Sequence, residues 1–399
     1  MNKIDAVVAG VGVGLALSLA GPALGAEQEP AGTAADMQWV AHDDERLDWT
    51  NVGAWEARED GMQPVRVPKV WRDRWPDNAA RRALSAAGIF VRFRTDSKQI
   101  VLRGTLVAAP DRSRGPEVAW ERARPPYFDV YRNGAYISSV PGAIDAATQE
   151  VVLYDQPDAI AGEAAFTIAL PFYYRNGEII VNGVGIDAGA TLTAAEPDTR
   201  PRVLFHGDSI THGHGVFLSR ETYPWQACFK ADCVPLNLGF GGSARGENVV
   251  AQYIASRDDW DVLVLAIGTN SFGGTFEREP ETAAQYGERY AAFLATVRET
   301  APTKPVICVT PVFHRSDHTG AKNDNGETPQ DYRDAISRVV MGRQATDPNL
   351  TLVDGLAAFA DPLYLLPTDV VHPNVAGMLK IADNLAVALT PVLPKGISH

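Results

Sequence analysis

Gly207-Asp208-Ser209-Ile210 follows the apolar run Val203-Leu204-Phe205 and leads into Thr211-His212-Gly213-His214-Gly215. A buried strand that stops at a glycine and presents a serine at the start of a helix suits a nucleophile. The helix N-terminus turns unpaired N–H groups, and the positive end of its dipole, toward a developing oxyanion. Far along the chain, Asp369-Val370-Val371-His372-Pro373 sets an acid and a base three residues apart. Serine, histidine and aspartate fill the three roles of acyl transfer: nucleophile, general base, and the group that orients the base. Two further turns lie between them. Asn237-Leu238-Gly239-Phe240-Gly241-Gly242 follows one apolar run and Ile267-Gly268-Thr269-Asn270 follows another. Such glycines either let backbone N–H groups approach a ligand or simply make a strand-to-helix turn. Asn270 either caps the next turn or aims its side-chain NH2 at an oxyanion.

These residues need a scaffold, and the pattern from residue 202 onward supplies one. Apolar runs fall at 203–206, 234–238, 262–267, 306–309 and 351–353, with helical patterns near 219–230, 246–257, 281–299, 329–346 and 374–389. Strand–helix alternation with continuous apolar strands predicts a three-layer α/β/α domain around a doubly wound parallel sheet, over residues 202–393. Ligands bind such sheets beyond the carboxyl ends of the strands. Ser209, the glycines after Leu238 and Asn270 all fall there.

Residues 37–196 read differently. Ile89–Arg94 and Phe128–Arg132 alternate apolar and polar, Asn133-Gly134 is a hairpin turn signal, and Ile137–Val140 reads as the returning strand. Phe166–Leu170 and Ile179–Val181 follow, the second opened by Asn176-Gly177. Short, turn-bounded strands predict an all-β, antiparallel sandwich. Residues 197–201, rich in Pro, Asp and Arg, read as the linker.

Ahead of this lies a stretch with the character of a secretory signal, residues 1–26. Lys3 precedes an apolar run from Ala6 to Ala20, and Ala23-Leu24-Gly25 fits a small-x-small cleavage site. The alternative is a short N-terminal anchor. Residues 27–36 then form a flexible mature N-terminus. The signal implies a periplasmic or secreted protein, with no membrane association after cleavage. A chain of 399 residues with 49 acidic and 36 basic side chains carries a net charge of −13, which argues against a nucleic-acid partner. Cys228 and Cys233 form a disulfide or remain two thiols, and Cys308 sits in a buried strand.

The four blocks around Ser209, Gly242, Asn270 and His372, in this order, resemble the GDSL, or SGNH, serine hydrolase superfamily over about residues 201–393. The resemblance implies that Ser209 is the nucleophile, His372 the base and Asp369 its partner. It also implies an oxyanion hole made by the Ser209 and Gly242 N–H groups and the Asn270 side chain. One residue departs from the pattern: the third block usually reads Gly-x-Asn-Asp, and in this chain Ser271 stands in place of the aspartate. Altered loop bonding, not lost catalysis, is the expectation. Tyr127–Tyr131 and Leu170–Tyr174 leading to Ile186 resemble the jelly-roll domain that precedes some bacterial members, among them carbohydrate esterases.

Asp208, His212, His214 and His314 are expected to line the substrate pocket. His212 and His214 without a carboxylate or thiolate nearby make a poor metal site, and no cofactor or metal is expected. The tryptophans at 39, 49, 55, 71 and 75 are expected to serve packing before sugar stacking. The resemblance, together with the signal, implies a secreted serine esterase acting on small acyl esters, with acetyl groups on carbohydrates foremost. The alternatives are an acyltransferase or general short-chain carboxylesterase and, in another class, a non-catalytic carbohydrate-binding protein. The partner is a small-molecule or glycan ester, and the oligomeric state stays open.

Overall fold

In the computed structural model, the five apolar runs after Pro201 form one parallel sheet. Its order is Val234–Gly239, Arg202–Gly207, Val262–Ala266, Val306–Val309, Leu350–Val353, or 2-1-3-4-5 counted along the chain. The structure describes residues 37–107, 125–144, 147–157, 162–172, 178–274, 279–358, 361–366, 369 and 371–394. The expected signal peptide, the flexible N-terminus and the Asn176-Gly177 turn lie outside them.

The strands of this sheet are apolar throughout because helices cover both faces. Leu204, Leu236, Leu263, Leu265 and Val306 face one layer, whose helices are Asn248–Ala255, Ala283–Thr300 and Pro329–Gln344. Val203, Phe205, Val262, Val264 and Ile307 face the other, with Tyr223–Ala231 and Val375–Leu389. The helix starts are written locally: Thr282 Oγ1 accepts from Gln285 N at 3.2 Å and Asn374 Oδ1 from Gly377 N at 3.0 Å. Among the described residues no helix is long and apolar enough to cross a membrane.

Before this sheet come two six-stranded antiparallel sheets packed face to face. Their shared core holds Val91, Phe93, Leu102, Phe128, Val130, Phe166, Ile168 and Val181, the inward positions of alternating strands. Asn133 and Gly134 both take positive φ, 49° and 78°, and join Tyr127–Arg132 to Ala135–Pro141 as the turn signal predicts. Two short helices, Lys69–Arg72 and Asp77–Arg82, interrupt the strands, a feature the alternation does not foretell. The first helix and the connection after it bring Trp71 and Trp75 onto the other region. Trp75 lies edge-on to Phe240 at 5.2 Å and Tyr253 at 5.7 Å, and Trp71 packs on Tyr253 at 5.6 Å. Trp49 meets Trp55 at 5.1 Å and Trp39 lies under Arg103 at 3.6 Å. All five rings are therefore used in packing.

The sandwich side closes over the edge strand Val234–Gly239. The guanidinium of Arg66, fully buried, donates to Asn237 O at 3.1 Å, Gly239 O at 2.9 Å, Ser85 O at 2.8 Å and Arg82 O at 2.5 Å. Asn51 Nδ2 adds a bond to Asn237 O at 3.1 Å. Carbonyls two residues apart lie on the same edge of a strand, so these donors take the place of a further strand. Asp198, in the segment read as a linker, accepts from Arg92 at 3.3 Å and Arg200 at 2.7 Å.

His206, next to last in the first parallel strand, is fully buried, donates from Nδ1 to Leu238 O at 3.0 Å and stacks on Phe293. Burial pulls its pKa down to about 4. In the unfolded chain a histidine titrates near 6.5. On acidification the unfolded state therefore takes up this proton first, and the neutral ring's contribution is lost as pH falls from about 6.5 to about 4, by at most roughly 3 kcal/mol. Urea unfolding should show stability falling over that window, and His206→Gln should flatten part of the fall. A pH slope unchanged by His206→Gln would count against this linkage.

Candidate active site

The first strand ends at Gly207, and the turn behind it has no room for a side chain. A Cβ on Gly207 would lie 1.9 Å from Thr211 Oγ1 and 2.6 Å from Ala266 O. Asp208 caps the short helix Ser209–His212, its Oδ1 accepting from Ile210 N at 2.9 Å. Thr211 Oγ1 and Tyr223 OH, 2.6 Å apart, tie that helix to the layer behind it. Ser209 thus stands at the first helical position, just past the carboxyl end of a central strand.

The base arrives from the far end of the chain on a loop closed by its own backbone. Leu366 N donates to His372 O at 3.0 Å and Asn374 N to Tyr364 O at 2.7 Å. Asp369 Oδ1 accepts from Val371 N at 3.0 Å and His372 N at 3.3 Å, while Oδ2 lies 2.7 Å from His372 Nδ1. His372 Nε2 lies 2.7 Å from Ser209 Oγ. A carboxylate only accepts, so Nδ1 carries the proton and Nε2 offers its lone pair to the serine hydroxyl. Burial alone would raise the Asp369 carboxyl, but His214, His372 and the Val371 N–H outweigh it and hold the group well below the usual carboxylate range. Asp369 therefore stays ionised at any working pH.

The two other expected donors lie on the turns that follow the second and third parallel strands. Gly242 follows the second strand with φ +70°, and a Cβ there would lie 2.8 Å from Asn78 Nδ2. Asn270, on the helix Thr269–Gly273, donates one N–H to Ser243 O at 2.6 Å, and its own main-chain carbonyl accepts from Arg245 Nη2 at 2.5 Å. The bond to Ser243 fixes the amide plane, and the NH2 group carries a second N–H. Ser271 donates to Glu281 Oε1 at 2.7 Å. A carboxylate from another segment thus meets the residue that stands where an aspartate is usual.

The residues expected to line the pocket divide. Asp208 and His212 do not line it. Asp208 is buried as a helix cap, with its carboxyl raised by desolvation. His212 is fully buried between Ser85 Oγ, 3.0 Å from Nε2, and the Gly241 N–H, which Nδ1 accepts at 3.4 Å. Burial pushes the His212 pKa well down, so a neutral ring ties the nucleophile helix to the glycine turn. The flanking glycines suggest an open loop at this residue, and burial by a distant segment overrides that signal. His214 is 5% exposed, its Nε2 3.8 Å from Asp369 Oδ2 and its ring centroid 3.8 Å from that of His372. It packs against both the base and its acid. His314 Nδ1 accepts from Ser316 N at 3.0 Å, and the ring lies edge-on to Phe272 beside the Asn270 helix. Cys228 and Cys233 are buried, unbridged thiols with sulfurs 2.7 Å apart.

His214, Asp369 and His372 bring one donor atom each within 4.8 Å of one another, a spacing open to a metal ion. Both nitrogens of His372 already face protein partners, so the arrangement as built serves proton transfer. Sequence reasoning missed Arg66, Asn78, Arg82, Arg245 and Glu281. Each acts across a long stretch of chain, and none has a local motif to mark it.

Residues 205–380 match the family model of GDSL-like lipases/acylhydrolases. No curated protein matches the chain. Among solved structures, the salicylyl-acyltransferase SsfX3 from a tetracycline biosynthetic pathway shares 23% identity at a TM-score of 0.77, over 90% of this chain and 100% of that one. A Bacteroides ovatus protein described as a GDSL-like lipase shares 20% at 0.69, over 90% and 99%. A family two carbohydrate esterase from Cellvibrio japonicus shares 15% at 0.59, over 89% and 98%. At these identities the likeness establishes a shared fold: a parallel-sheet domain behind a β-sandwich.

Asp369→Asn keeps the size of the side chain but lets it donate to His372 Nδ1, favouring the wrong tautomer. It should lower kcat by on the order of 10⁴, with the protein still folded by circular dichroism. A loss under tenfold would mean that Asp369 does not orient the base.

Proposed function

Because residues 205–380 belong to the GDSL-like lipase/acylhydrolase family, we propose that the protein is a serine esterase that removes small acyl groups, acetyl foremost, from carbohydrates outside the cytoplasm. The observation that carries this reading is the chain of two 2.7 Å contacts from Ser209 Oγ through His372 to Asp369. The substrate class is supported by the carbohydrate esterase among the neighbours of the same two-region fold, and the compartment by the signal-like N-terminal sequence.

In the first half-reaction His372 Nε2 takes the Ser209 hydroxyl proton as Oγ bonds the ester carbonyl carbon. The negative oxygen is met by the Ser209 and Gly242 N–H groups and by Asn270 Nδ2. Asp369 holds the imidazolium that forms. His372 then gives its proton to the leaving sugar oxygen as the C–O bond breaks, and the acyl group stays on Ser209. Water enters, loses a proton to His372 and releases the acid by the same steps.

A second reading has its own support in the salicylyl-acyltransferase neighbour: an alcohol takes the place of water in the second half-reaction. The test is acetate release by wild type and Ser209→Ala from acetylated xylan, acetylated sugars and short p-nitrophenyl esters, with and without an added sugar acceptor. Acetate from the glycans, abolished by Ser209→Ala, is the expected result. Activity confined to the p-nitrophenyl esters contradicts the glycan substrate, and acyl product on the acceptor favours transfer. Asn270→Ala should lower kcat by about 10²–10³, the size of one oxyanion donor. A loss under tenfold would exclude that role.

A further inference from the structure

The peptide that joins Gly241 to Gly242 lies where the two regions of the chain meet. Its oxygen accepts from Asn78 Nδ2 at 2.9 Å and from Arg82 Nε at 3.2 Å. Both donors stand on the short helix Asp77–Arg82, far from the glycine turn in sequence. A trans peptide is planar, and its C=O and N–H point in opposite directions. Donors that hold the Gly241 oxygen on one side therefore aim the Gly242 N–H at the other.

The arrangement answers a particular weakness of this turn. A Gly-Gly pair reaches positive and negative φ with nearly equal ease, so the peptide between them is free to flip and carry its N–H away from the serine. Gly242 is already at φ +70°. A flip would break the bonds to Asn78 and Arg82, the second from a charged donor. The same short helix also reaches the next residue, Asn78 Nδ2 donating to Ser243 Oγ at 3.2 Å. Ser243 O in turn accepts from Asn270. Both outer donors of the oxyanion site thus hang on one turn, and that turn is held from the N-terminal region. Arg66, on Asn237 O and Gly239 O, fixes the strand that leads into it.

We propose that Asn78 and Arg82 are positioning residues that aim the Gly242 N–H at the reacting carbonyl oxygen, which makes the N-terminal region a working part of the catalytic site and not a detachable module. The inference rests on the esterase reading and deepens it. Neither side chain needs to touch the substrate; both act through the Gly241–Gly242 peptide. Their removal should therefore weaken what binds in the transition state and spare what binds the ground state.

The experiment uses the full chain and a short p-nitrophenyl ester. Asn78→Asp keeps the shape of the side chain and removes the donor, while Arg82→Met removes the second donor and Arg82→Lys retains one. Asn78→Asp is expected to lower kcat about tenfold with KM changed less than about twofold, a fraction of the loss of a whole oxyanion donor. It should also weaken binding of a phenylboronic acid, which places an oxygen in the oxyanion site, by a similar factor. Asn78→Asp combined with Arg82→Met should approach the loss of about 10²–10³ for a whole donor, and Arg82→Lys should recover part of the Arg82→Met loss. If Asn78→Asp does not fold, the Arg82→Met and Arg82→Lys pair reads the same effect. Ser209→Ala separates the two levels: activity that survives it overturns the esterase reading itself. If Ser209→Ala is inactive while the positioning variants keep kcat within about twofold, or change KM alone, the positioning proposal is wrong.

Discussion

A buried guanidinium holds the seam on which the rest of the molecule depends. Arg66 lies where no water reaches it, and burial draws its pKa down to about 9, still cationic at neutral pH. A charge in that setting is tolerable only when it is densely hydrogen-bonded, and four main-chain carbonyls meet it. Two of them belong to the exposed edge of the parallel sheet. The edge of an α/β sheet ordinarily needs covering, and in this chain the cover comes from the sandwich region in the form of a cation and the Asn51 amide. This accounts for the described residues of the sandwich and of the parallel-sheet region packing as one unit, with the glycine turn of the site built against Asn78 and Arg82 from far earlier in the chain.

The site has a consistent electrostatic logic. The acid is held by backbone N–H groups on one oxygen and by histidine on the other, so its charge is kept in place without reorganisation. The base has one nitrogen for the acid and one for the serine. Two buried histidines are kept neutral by desolvation: His206 in the strand that leads to the serine, and His212 between the nucleophile helix and the glycine turn.

Much of this was legible in the sequence, for physical reasons. Continuous apolar runs such as Val262–Ala266 fit a sheet covered on both faces, and Asn133-Gly134 can make only a narrow set of turns. Ser209, Gly242, Asn270 and His372 each sit just past a strand end or in a compact block, where local pattern and chemistry coincide. What escaped acts at long range. Nothing around His212 distinguishes a ring facing substrate from one buried against Ser85, and nothing around Asn78 marks it as a partner of Gly241. Ser271 reads as a lost aspartate until Glu281 is seen beside it. The short helices that carry Trp71 and Asn78 are too brief for a periodic signal and are made by the surface they dock on.

All of the proposed chemistry requires that Ser209 be activated through His372. Covalent labelling with an organophosphonate ester, followed by intact-mass measurement and peptide mapping in wild type and His372→Ala, reads this directly. One adduct per chain is expected, on the peptide that contains Ser209, formed at least about a hundredfold more slowly without His372, as loss of a general base requires. An adduct on another residue, or a rate at Ser209 that does not depend on His372, would contradict it.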